Sequence, residues 1–320
     1  MPPLDTIFVG SGGGNKGCLQ AGHIRAVRDW IDWSSGTVRL KAVSGTSIGA
    51  FNTSLWAAGV SDRDIRAFWL NAGIRSFGTF NWKFLWAAMH FAADRHQGYI
   101  LDPHTMRKFL ATKLPETWGG FAHPLYIGVS AYSRSGKEIL STENNGTPAD
   151  PEDAPRNGAC RRELLSISPL DAVMTSAAIP GVFPQLRYAE SYWGDAGCML
   201  NKIPILDDLC TPKTVTVISV LGYAGLTQPD EQAEFWPWEW AREGREKVNM
   251  EEYQQEIYGW GEQVSEHVFR SPTRGWLVVI HNKEGRKLAP YDFSQCAALY
   301  GVGHRYAQTI LSEFEGVYDN

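Results

Sequence analysis

Ala42-Val43-Ser44-Gly45-Thr46-Ser47-Ile48-Gly49-Ala50 is a run of small residues around one serine. The apolar residues 40–43 lead into it and another apolar stretch follows, so the pattern predicts a strand, a tight turn and a helix. Gly-Thr-Ser-Ile-Gly in this context fits the Gly-x-Ser-x-Gly nucleophile elbow. In such a turn the flanking glycines leave room for close neighbours, and the serine hydroxyl projects outward. Ser47 is therefore the candidate nucleophile.

A second glycine-rich stretch precedes the elbow, Gly10-Ser11-Gly12-Gly13-Gly14-Asn15-Lys16-Gly17. It follows the apolar residues 6–9, which have the composition of a short buried strand. The spacing Gly-x-Gly-x-x-Gly within it matches a dinucleotide-binding fingerprint, which expects an acidic residue about 20 positions later, at the end of the next strand. Consecutive glycines can instead present backbone N–H groups to a tetrahedral intermediate, as an oxyanion hole. Because the next strand ends in the elbow, we favour the oxyanion hole, and nucleotide binding stays the alternative.

Length, charge and cysteine content limit the class of protein. The 320 residues suit one large α/β domain, or one domain with an appendage. The formal net charge of −5 and the lack of a basic block argue against nucleic-acid partners. The five cysteines are widely spaced, which argues against a disulfide framework or a zinc site and indicates a reducing compartment. With no secretory pattern at the N-terminus and no apolar run of about 18 residues, we expect a cytoplasmic protein without a membrane span.

The later sequence adds a third patch and an α/β pattern. Tyr192-Trp193-Gly194-Asp195-Ala196-Gly197 places an aspartate in a turn of small residues, which lets a carboxylate approach another backbone closely. Capping patterns predict helices that begin after Ser61, Asp102 and Ser168. Further predicted elements are strands at 125–132, 138–141, 214–220 and 276–281, a mobile loop at 144–157, a largely helical stretch at 226–272 and a closing helix at 293–314.

Taken in order, the glycine loop, the elbow, residues 176–184 and Asp195-Ala196-Gly197 resemble the motifs of the patatin-like phospholipases. The resemblance covers roughly residues 6 to 220. It implies an α/β fold, a three-layer α/β/α sandwich with a central, mostly parallel sheet. We expect a catalytic core at 1–222. Residues 223–320 are predicted to be a mostly helical part that packs on the core or completes it, and they are the candidate regulator.

The resemblance implies a Ser–Asp dyad in which Ser47 attacks the substrate and Asp195 is the base. It assigns the oxyanion region to Gly12, Gly13, Gly14 and Lys16, and the remaining motif positions to Gly17, Gly45, Gly49, Ala196 and Gly197. Two positions depart from the family pattern. Lys16 replaces an arginine and loses its planar fork of donors, and Ala196 replaces a glycine.

A Ser–His–Asp triad is the alternative to the dyad. Its chain order of nucleophile, acid and histidine is satisfied by Ser47 and Asp195 followed by one of three later histidines. The candidates are His267, His281 and His304, and His281 is the best placed because it ends a predicted strand. The other histidines show no metal-ligand spacing and are interpreted as structural.

The family resemblance implies a lipid acyl hydrolase of the phospholipase A or lysophospholipase type. Its expected partner is a phospholipid or lysophospholipid substrate at a membrane surface, and it needs no metal or organic cofactor. Such enzymes often serve as regulated defence or virulence effectors, so an activator or a homo-oligomer is left open as a partner. The aromatic residues at 77–99 and 235–240 are candidates for a lipid-facing lip or for core and interface positions. An inactive scaffold is the remaining alternative.

Overall fold

A mixed sheet lies at the centre of this computed structural model, which describes residues 3–81, 99–131, 138–143, 167–179, 182–188, 191–198, 203–221, 257–281 and 293–319. The strands in chain order are β1 (Leu4–Gly10), β2 (Val38–Thr46), β3 (Thr79–Phe80), β4 (Leu101–Asp102), β5 (Leu125–Ala131), β6 (Glu138–Glu143), β7 (Leu186–Tyr188), β8 (Ser191–Asp195), β9 (Thr214–Val220), β10 (Glu262–Gln263), β11 (Val268–Ser271) and β12 (Gly275–His281). The helices are α1 (Gly17–Trp33), α2 (Ile48–Ala57), α3 (Asp62–Leu70), α4 (Ile74–Phe77), α5 (His104–Ala111), α6 (Pro169–Ser176) and α7 (Cys296–Tyr318).

Strand order places the ends of the central strands together. The main sheet runs β10-β11-β12-β9-β1-β2-β5-β8-β7, and β6 also pairs with β5, whereas β3 and β4 form a separate pair. The five consecutive strands from β12 to β5 are parallel to one another, and antiparallel strands flank them on both sides. The carboxyl ends of β12, β9, β1 and β2 therefore lie along one edge, which is where ligand sites of open α/β sheets are found.

Apolar side chains are buried on both faces of the sheet. In β1, Phe8 joins a cluster that packs against α1, α2 and α7, whereas Ile7 and Val9 join a second cluster on the opposite face. This alternation follows from the two-residue period of a strand that is covered on both sides. Residues 203–210 and 257–260 contribute to the second cluster. The predicted α/β fold, with a central, mostly parallel sheet flanked by helices, is confirmed.

Local capping fixes where several helices begin. The Ser61 and Ser168 hydroxyls accept hydrogen bonds from the N–H groups three residues further on, at 3.2 Å and 3.1 Å, as the sequence predicts. The helix predicted after Asp102 begins at His104, whose N–H donates to Asp102 Oδ1 at 3.0 Å. The closing helix runs from Cys296 to Tyr318.

The helical prediction for 226–272 is wrong over residues 262–271, where the chain forms β10 and β11. Phe269 is buried opposite Leu277 of β12, so cross-strand packing decides the structure of this segment. The loop predicted at 144–157 and the aromatic stretch 235–240 lie outside the described residues, as does most of 77–99. Within the described residues, no helix is both long enough and apolar enough to cross a membrane.

The segment after residue 256 is continuous with the core. β12 pairs with β9, and α7 lies along α1, with the Trp30 indole donating to Glu315 Oε1 at 2.9 Å. The two helices approach closely at glycines, because a Cβ built on Gly303 would lie 2.3 Å from the Leu19 carbonyl oxygen. The predicted division at residue 222 remains a prediction.

This helix contact yields a paired stability test. Gly303→Ala places a methyl group against backbone that cannot move without separating α1 from α7, so we expect a loss of about 1–3 kcal/mol of unfolding free energy. Gly301→Ala is the matched control, since its nearest neighbour would be the Arg305 guanidinium at 3.5 Å. That control gains up to about 1 kcal/mol from helix propensity. Urea denaturation measures both, and equal effects contradict the assigned helix contact.

Candidate active site

Ser47 occupies a strained turn at the end of β2. Its backbone has φ 56° and ψ −125°, and α2 begins at the next residue. Among the described non-glycine residues, only Ser35 shares a positive φ. Such a conformation costs about 1–3 kcal/mol and persists only where surrounding contacts fix it. The side chain is buried, with 6% exposed, and the predicted strand–turn–helix context is present.

Close backbone contact explains the two elbow glycines. A Cβ built on Gly49 would lie 2.1 Å from the Gly10 carbonyl oxygen, and one built on Gly45 would lie 2.4 Å from Gly49 backbone. Gly10 also faces Gly45 in the parallel pairing of β1 with β2. Any side chain at these positions would push α2 away from the end of β1.

Ser176 holds the elbow from the opposite side and was not singled out by the sequence. The Ser47 N–H donates to Ser176 Oγ at 2.9 Å, and Ser176 Oγ donates to the Gly128 carbonyl at 2.6 Å. Ser176 is the last residue of α6, and it is fully buried. The sequence offers one signal for Ser176, which is that it begins the stretch 176–184 that resembles the family. That resemblance assigns no individual role to Ser176.

Asp195 lies across β5 from the nucleophile. Thr46, the residue before Ser47, pairs with Gly128 of β5, and Asp195 pairs with the next residue, Val129. Two strand spacings of about 4.8 Å therefore separate the two backbones, at the same edge of the sheet. The Asp195 side chain is 2% exposed, and its Oδ1 accepts from the Gly197 N–H at 2.8 Å.

Ala196 fits the aspartate turn without strain. It begins a short 3₁₀ turn, Ala196–Cys198, and is fully buried. It is absent from the described non-glycine residues that have positive φ. The departure from the family's glycine therefore requires no left-handed backbone at this position.

The glycine loop leaves the sheet beside the elbow. Gly12, Gly13 and Gly14 follow Ser11 at the end of β1, the parallel neighbour of β2. Among the described residues, no backbone carbonyl accepts from the N–H groups of Gly13 or Gly14. Lys16 is partly buried and closes a short turn with its N–H on the Gly13 carbonyl at 3.3 Å. The amino ends of α1 and α2 lie next to the loop and the elbow, and helix amino ends favour negative charge.

β9 and α1 fix the loop from two sides. The Leu221 N–H donates to Ser11 Oγ at 2.8 Å, and the Ser11 N–H donates to the Ser219 carbonyl at 3.0 Å. Gln20 Nε2 donates to the Ser11 carbonyl at 3.2 Å. The loop thus takes its shape from the end of β9 and from the first turns of α1.

A buried polar network joins three helices behind the loop. Asn52 Nδ2 donates to the Gly17 carbonyl at 2.9 Å and to Gln20 Oε1 at 3.0 Å, while the Trp69 indole donates to Asn52 Oδ1 at 2.9 Å. The side chains of Gln20, Asn52 and Trp69 are all fully buried. Satisfied buried networks of this kind fix one geometry. Gln20 and Asn52 were missed by sequence reasoning because isolated polar residues in helices carry no recognisable spacing.

Two of the three histidines considered for a triad are paired with carboxylates, and the third ends a strand distant from the elbow. His281 ends β12, and since β9 and β1 separate β12 from β2, its backbone lies about 14 Å from the elbow strand. His267 Nδ1 is paired with Glu313 Oε2 at 3.0 Å, and His304 Nε2 with Asp29 Oδ2 at 3.0 Å. This arrangement favours the dyad over the triad among the described histidines.

Comparisons with known proteins agree with the motifs. The sequence model of a family described as "Patatin-like phospholipase" matches residues 8–209. A search of curated proteins found no significant match. Among solved structures, VipD from Legionella pneumophila is 15% identical, with 98% of this chain and 67% of that chain covered and a TM-score of 0.46. ExoU in its complex with SpcU from Pseudomonas aeruginosa is 15% identical, with coverages of 98% and 52% and a TM-score of 0.40. The chain thus spans about half the length of ExoU.

His23 gives a testable pH dependence. Its ring lies fully buried in α1, with Nδ1 2.8 Å from Ser219 Oγ. Burial, reinforced by nearby His281, lowers the pKa of His23 from 6.5 to about 3. Between these two pKa values the unfolded chain binds a proton at this histidine and the folded chain does not. The histidine's contribution to stability is therefore present above about pH 6.5 and is lost as the pH falls toward 3.

We therefore expect His23→Gln to flatten the fall of unfolding free energy between about pH 7 and about pH 4. Urea denaturation across this range measures the slope. The control is His104→Gln, an exposed histidine, which leaves the slope as in wild type. A wild-type slope in His23→Gln contradicts the assignment of a buried neutral imidazole.

Proposed function

The chain belongs to the patatin-like phospholipase family, and on that premise we propose that it cleaves carboxylic esters of phospholipids or lysophospholipids through Ser47 and Asp195. One observation carries the proposal: a serine held in a strained turn faces, across β5, a buried aspartate at the same sheet edge. A serine hydroxyl is a weak nucleophile until a neighbouring base accepts its proton. The pairing of β2 with β5 and of β5 with β8 sets the backbones of Ser47 and Asp195 on either side of β5, which supports Asp195 as that base.

The reaction proceeds in two steps. Ser47 Oγ forms a bond to the acyl carbon while its proton passes to Asp195, and collapse of the tetrahedral intermediate expels the lipid alcohol, which takes that proton. Water, deprotonated by Asp195, then attacks the acyl-enzyme and releases the fatty acid as Ser47 recovers its proton. Each step develops negative charge on the former carbonyl oxygen, so donors preorganised at that oxygen lower both barriers.

The oxyanion donors are the backbone N–H groups of the glycine loop. Gly13 and Gly14 lie in the loop that follows β1, and β1 is paired with β2, the strand that leads into the elbow. One such donor contributes about 3–4 kcal/mol of transition-state stabilisation. Lys16 adds a positive charge at the same loop, as a point charge rather than a bidentate fork.

A cavity beside α6 supports the proposal that the protein binds the acyl chain of its substrate. It has a volume of about 310 Å³, and its lining includes the apolar side chains of Met106, Met174, Phe183 and Leu186. Met174 lies two residues before the end of α6, where the Ser176 hydroxyl accepts a hydrogen bond from the Ser47 N–H. A concave, mostly apolar site of this size is typical of small-ligand binding.

The enzyme is proposed to act in the cytoplasm, peripherally on membranes. A second copy or a protein activator is retained as a partner, and the effector role and regulation by residues 223–320 are retained as proposals. The effector role and the action on membranes rest on the family resemblance. The cytoplasmic location rests on the sequence pattern, and the regulatory role rests on the lack of family motifs beyond about residue 220.

Ester hydrolysis by two dyad variants and two control variants tests the dyad. We expect Ser47→Ala and Asp195→Asn each to lose at least about a thousandfold of activity on a short-chain chromogenic ester and on phospholipid vesicles, since one removes the nucleophile and the other its base. The controls are Ser54→Ala, whose hydroxyl donates to the Phe51 carbonyl of its own helix, and the exposed Asp64→Asn. Both controls retain wild-type activity.

Two outcomes contradict the proposal. If Asp195→Asn keeps most activity while Ser47→Ala is inactive, Asp195 is not the base. If wild type is silent on both substrates, the hydrolase assignment fails, and saturable nucleotide binding that is lost in Gly14→Val then favours the nucleotide alternative.

Chain-length dependence tests the cavity separately. Met174→Trp fills part of the 310 Å³ space, so we expect hydrolysis of long-chain esters to fall at least about tenfold relative to short-chain esters. Lys108→Gln, in the neighbouring α5 but outside the cavity lining, is the control. An unchanged ratio of long-chain to short-chain activity places the acyl chain elsewhere.

A further inference from the structure

A second group of reactive side chains gathers three strands away from Ser47. Glu266 and His267 directly precede β11, and His281 ends β12. The antiparallel pairing of β11 with β12, extended by the Val279 N–H on the His267 carbonyl at 2.9 Å, brings the two imidazole rings to a centroid distance of 5.3 Å. One ligand-type atom from each of the three residues lies within 4.8 Å of the others.

We propose that Glu266, His267 and His281 bind a divalent transition-metal ion, with Zn²⁺ the best match. Two imidazole nitrogens and a carboxylate oxygen form a mixed donor set that suits Zn²⁺, whereas Mg²⁺ and Ca²⁺ prefer oxygen ligands alone. Water supplies the fourth ligand. The ion enters from the side of Glu266, because this carboxylate is exposed while both imidazoles are buried.

The separations approach those around a bound ion. In a tetrahedral site, metal–ligand bonds of about 2.1 Å place two ligand atoms about 3.4 Å apart. His267 Nε2 and Glu266 Oε1 lie 3.9 Å apart. Because no two of the three ligand atoms are more than 4.8 Å apart, each separation closes by at most about 1.4 Å when the side chains turn onto the ion.

A second carboxylate prepares His267 for this role. Glu313 of α7 pairs with His267 Nδ1 at 3.0 Å, and the Ser265 hydroxyl donates to the other oxygen of Glu313. When Nδ1 carries the proton that is donated to Glu313, Nε2 keeps the lone pair on the side of Glu266. A carboxylate that orients a metal-binding histidine is a regular part of zinc sites.

Tyr306 competes for the same lone pair. Its hydroxyl lies 3.3 Å from His267 Nε2, a longer contact than a strong O–H···N hydrogen bond. A metal ion on Nε2 replaces this hydrogen bond, and the partly exposed tyrosine then turns to water.

The proposed site is structural and does not depend on the hydrolase function. It joins the segment before β11, the end of β12 and, through Glu313, α7. β9 and β1 separate it from the elbow strand. A bound ion therefore stabilises the attachment of residues 257–319 to the sheet, by its binding free energy for the folded chain.

Calorimetric titration of the full chain with Zn²⁺ after EDTA treatment and buffer exchange tests the site. We expect one ion per chain and a rise in melting temperature on addition of Zn²⁺. We expect Glu266→Gln to lower the affinity for Zn²⁺ at least about tenfold, and His281→Gln to lower it at least about a hundredfold. Glu313→Gln lowers the affinity about tenfold to a hundredfold, because the ring of His267 is no longer oriented by a carboxylate. Glu262→Gln, an exposed glutamate on β10, is the matched control and binds as wild type.

Glu266→Gln is the decisive variant because its side chain is exposed and its replacement leaves the buried contacts intact. Far-ultraviolet circular dichroism confirms that each variant is folded. The proposal is overturned if wild type binds no Zn²⁺ at one-to-one stoichiometry. It is also overturned if Glu266→Gln and folded His281→Gln both bind with wild-type affinity, which would mark the binding as adventitious.

Discussion

The approach of α2 to the end of β1 is the contact on which the rest of the site depends. Gly49 touches the Gly10 carbonyl with no room for a side chain, and Gly45 is fitted against Gly49 in the same way. This contact forces the sharp turn at Ser47 and brings the glycine loop to the next strand position. The proposed nucleophile and the proposed oxyanion donors thus share one packing constraint, which explains why both stretches of sequence are rich in glycine.

Strain at the elbow is maintained by groups from distant parts of the chain. The hydroxyl of Ser176, at the end of α6, accepts a hydrogen bond from the Ser47 N–H. Behind the loop, the hydrogen bond from Asn52 to Gln20 connects α2 with α1. Hydrogen bonds to buried partners are costly to leave unmade, so each of these residues resists relaxation of the turn. The active site is consequently a property of the assembled sheet and its helices rather than of the five-residue motif.

Much of the architecture could be predicted because its signals are local. The Ser61 and Ser168 caps, the β-branched strand at 214–220 and the elbow each depend on neighbouring residues. Strands β10 and β11 could not be predicted, since their pairing with β12 decides their conformation. The meeting of His267 with His281 was missed for the same reason. The two histidines are 14 positions apart in the sequence, and their rings come into contact only because β11 and β12 form an antiparallel hairpin.

The segment beyond the family match is part of the site's support. The match ends at residue 209, yet Leu221 holds Ser11 of the glycine loop, and β12 covers the outer side of β9. A force that shifts β12 along β9 would therefore be transmitted to the loop through Leu221. The proposed control by the C-terminal part needs no second element at the candidate site, because strand pairing already couples residues 257–281 to the glycine loop. Such control acts through the geometry of the loop and leaves intact the strand pairing that carries Ser47 and Asp195.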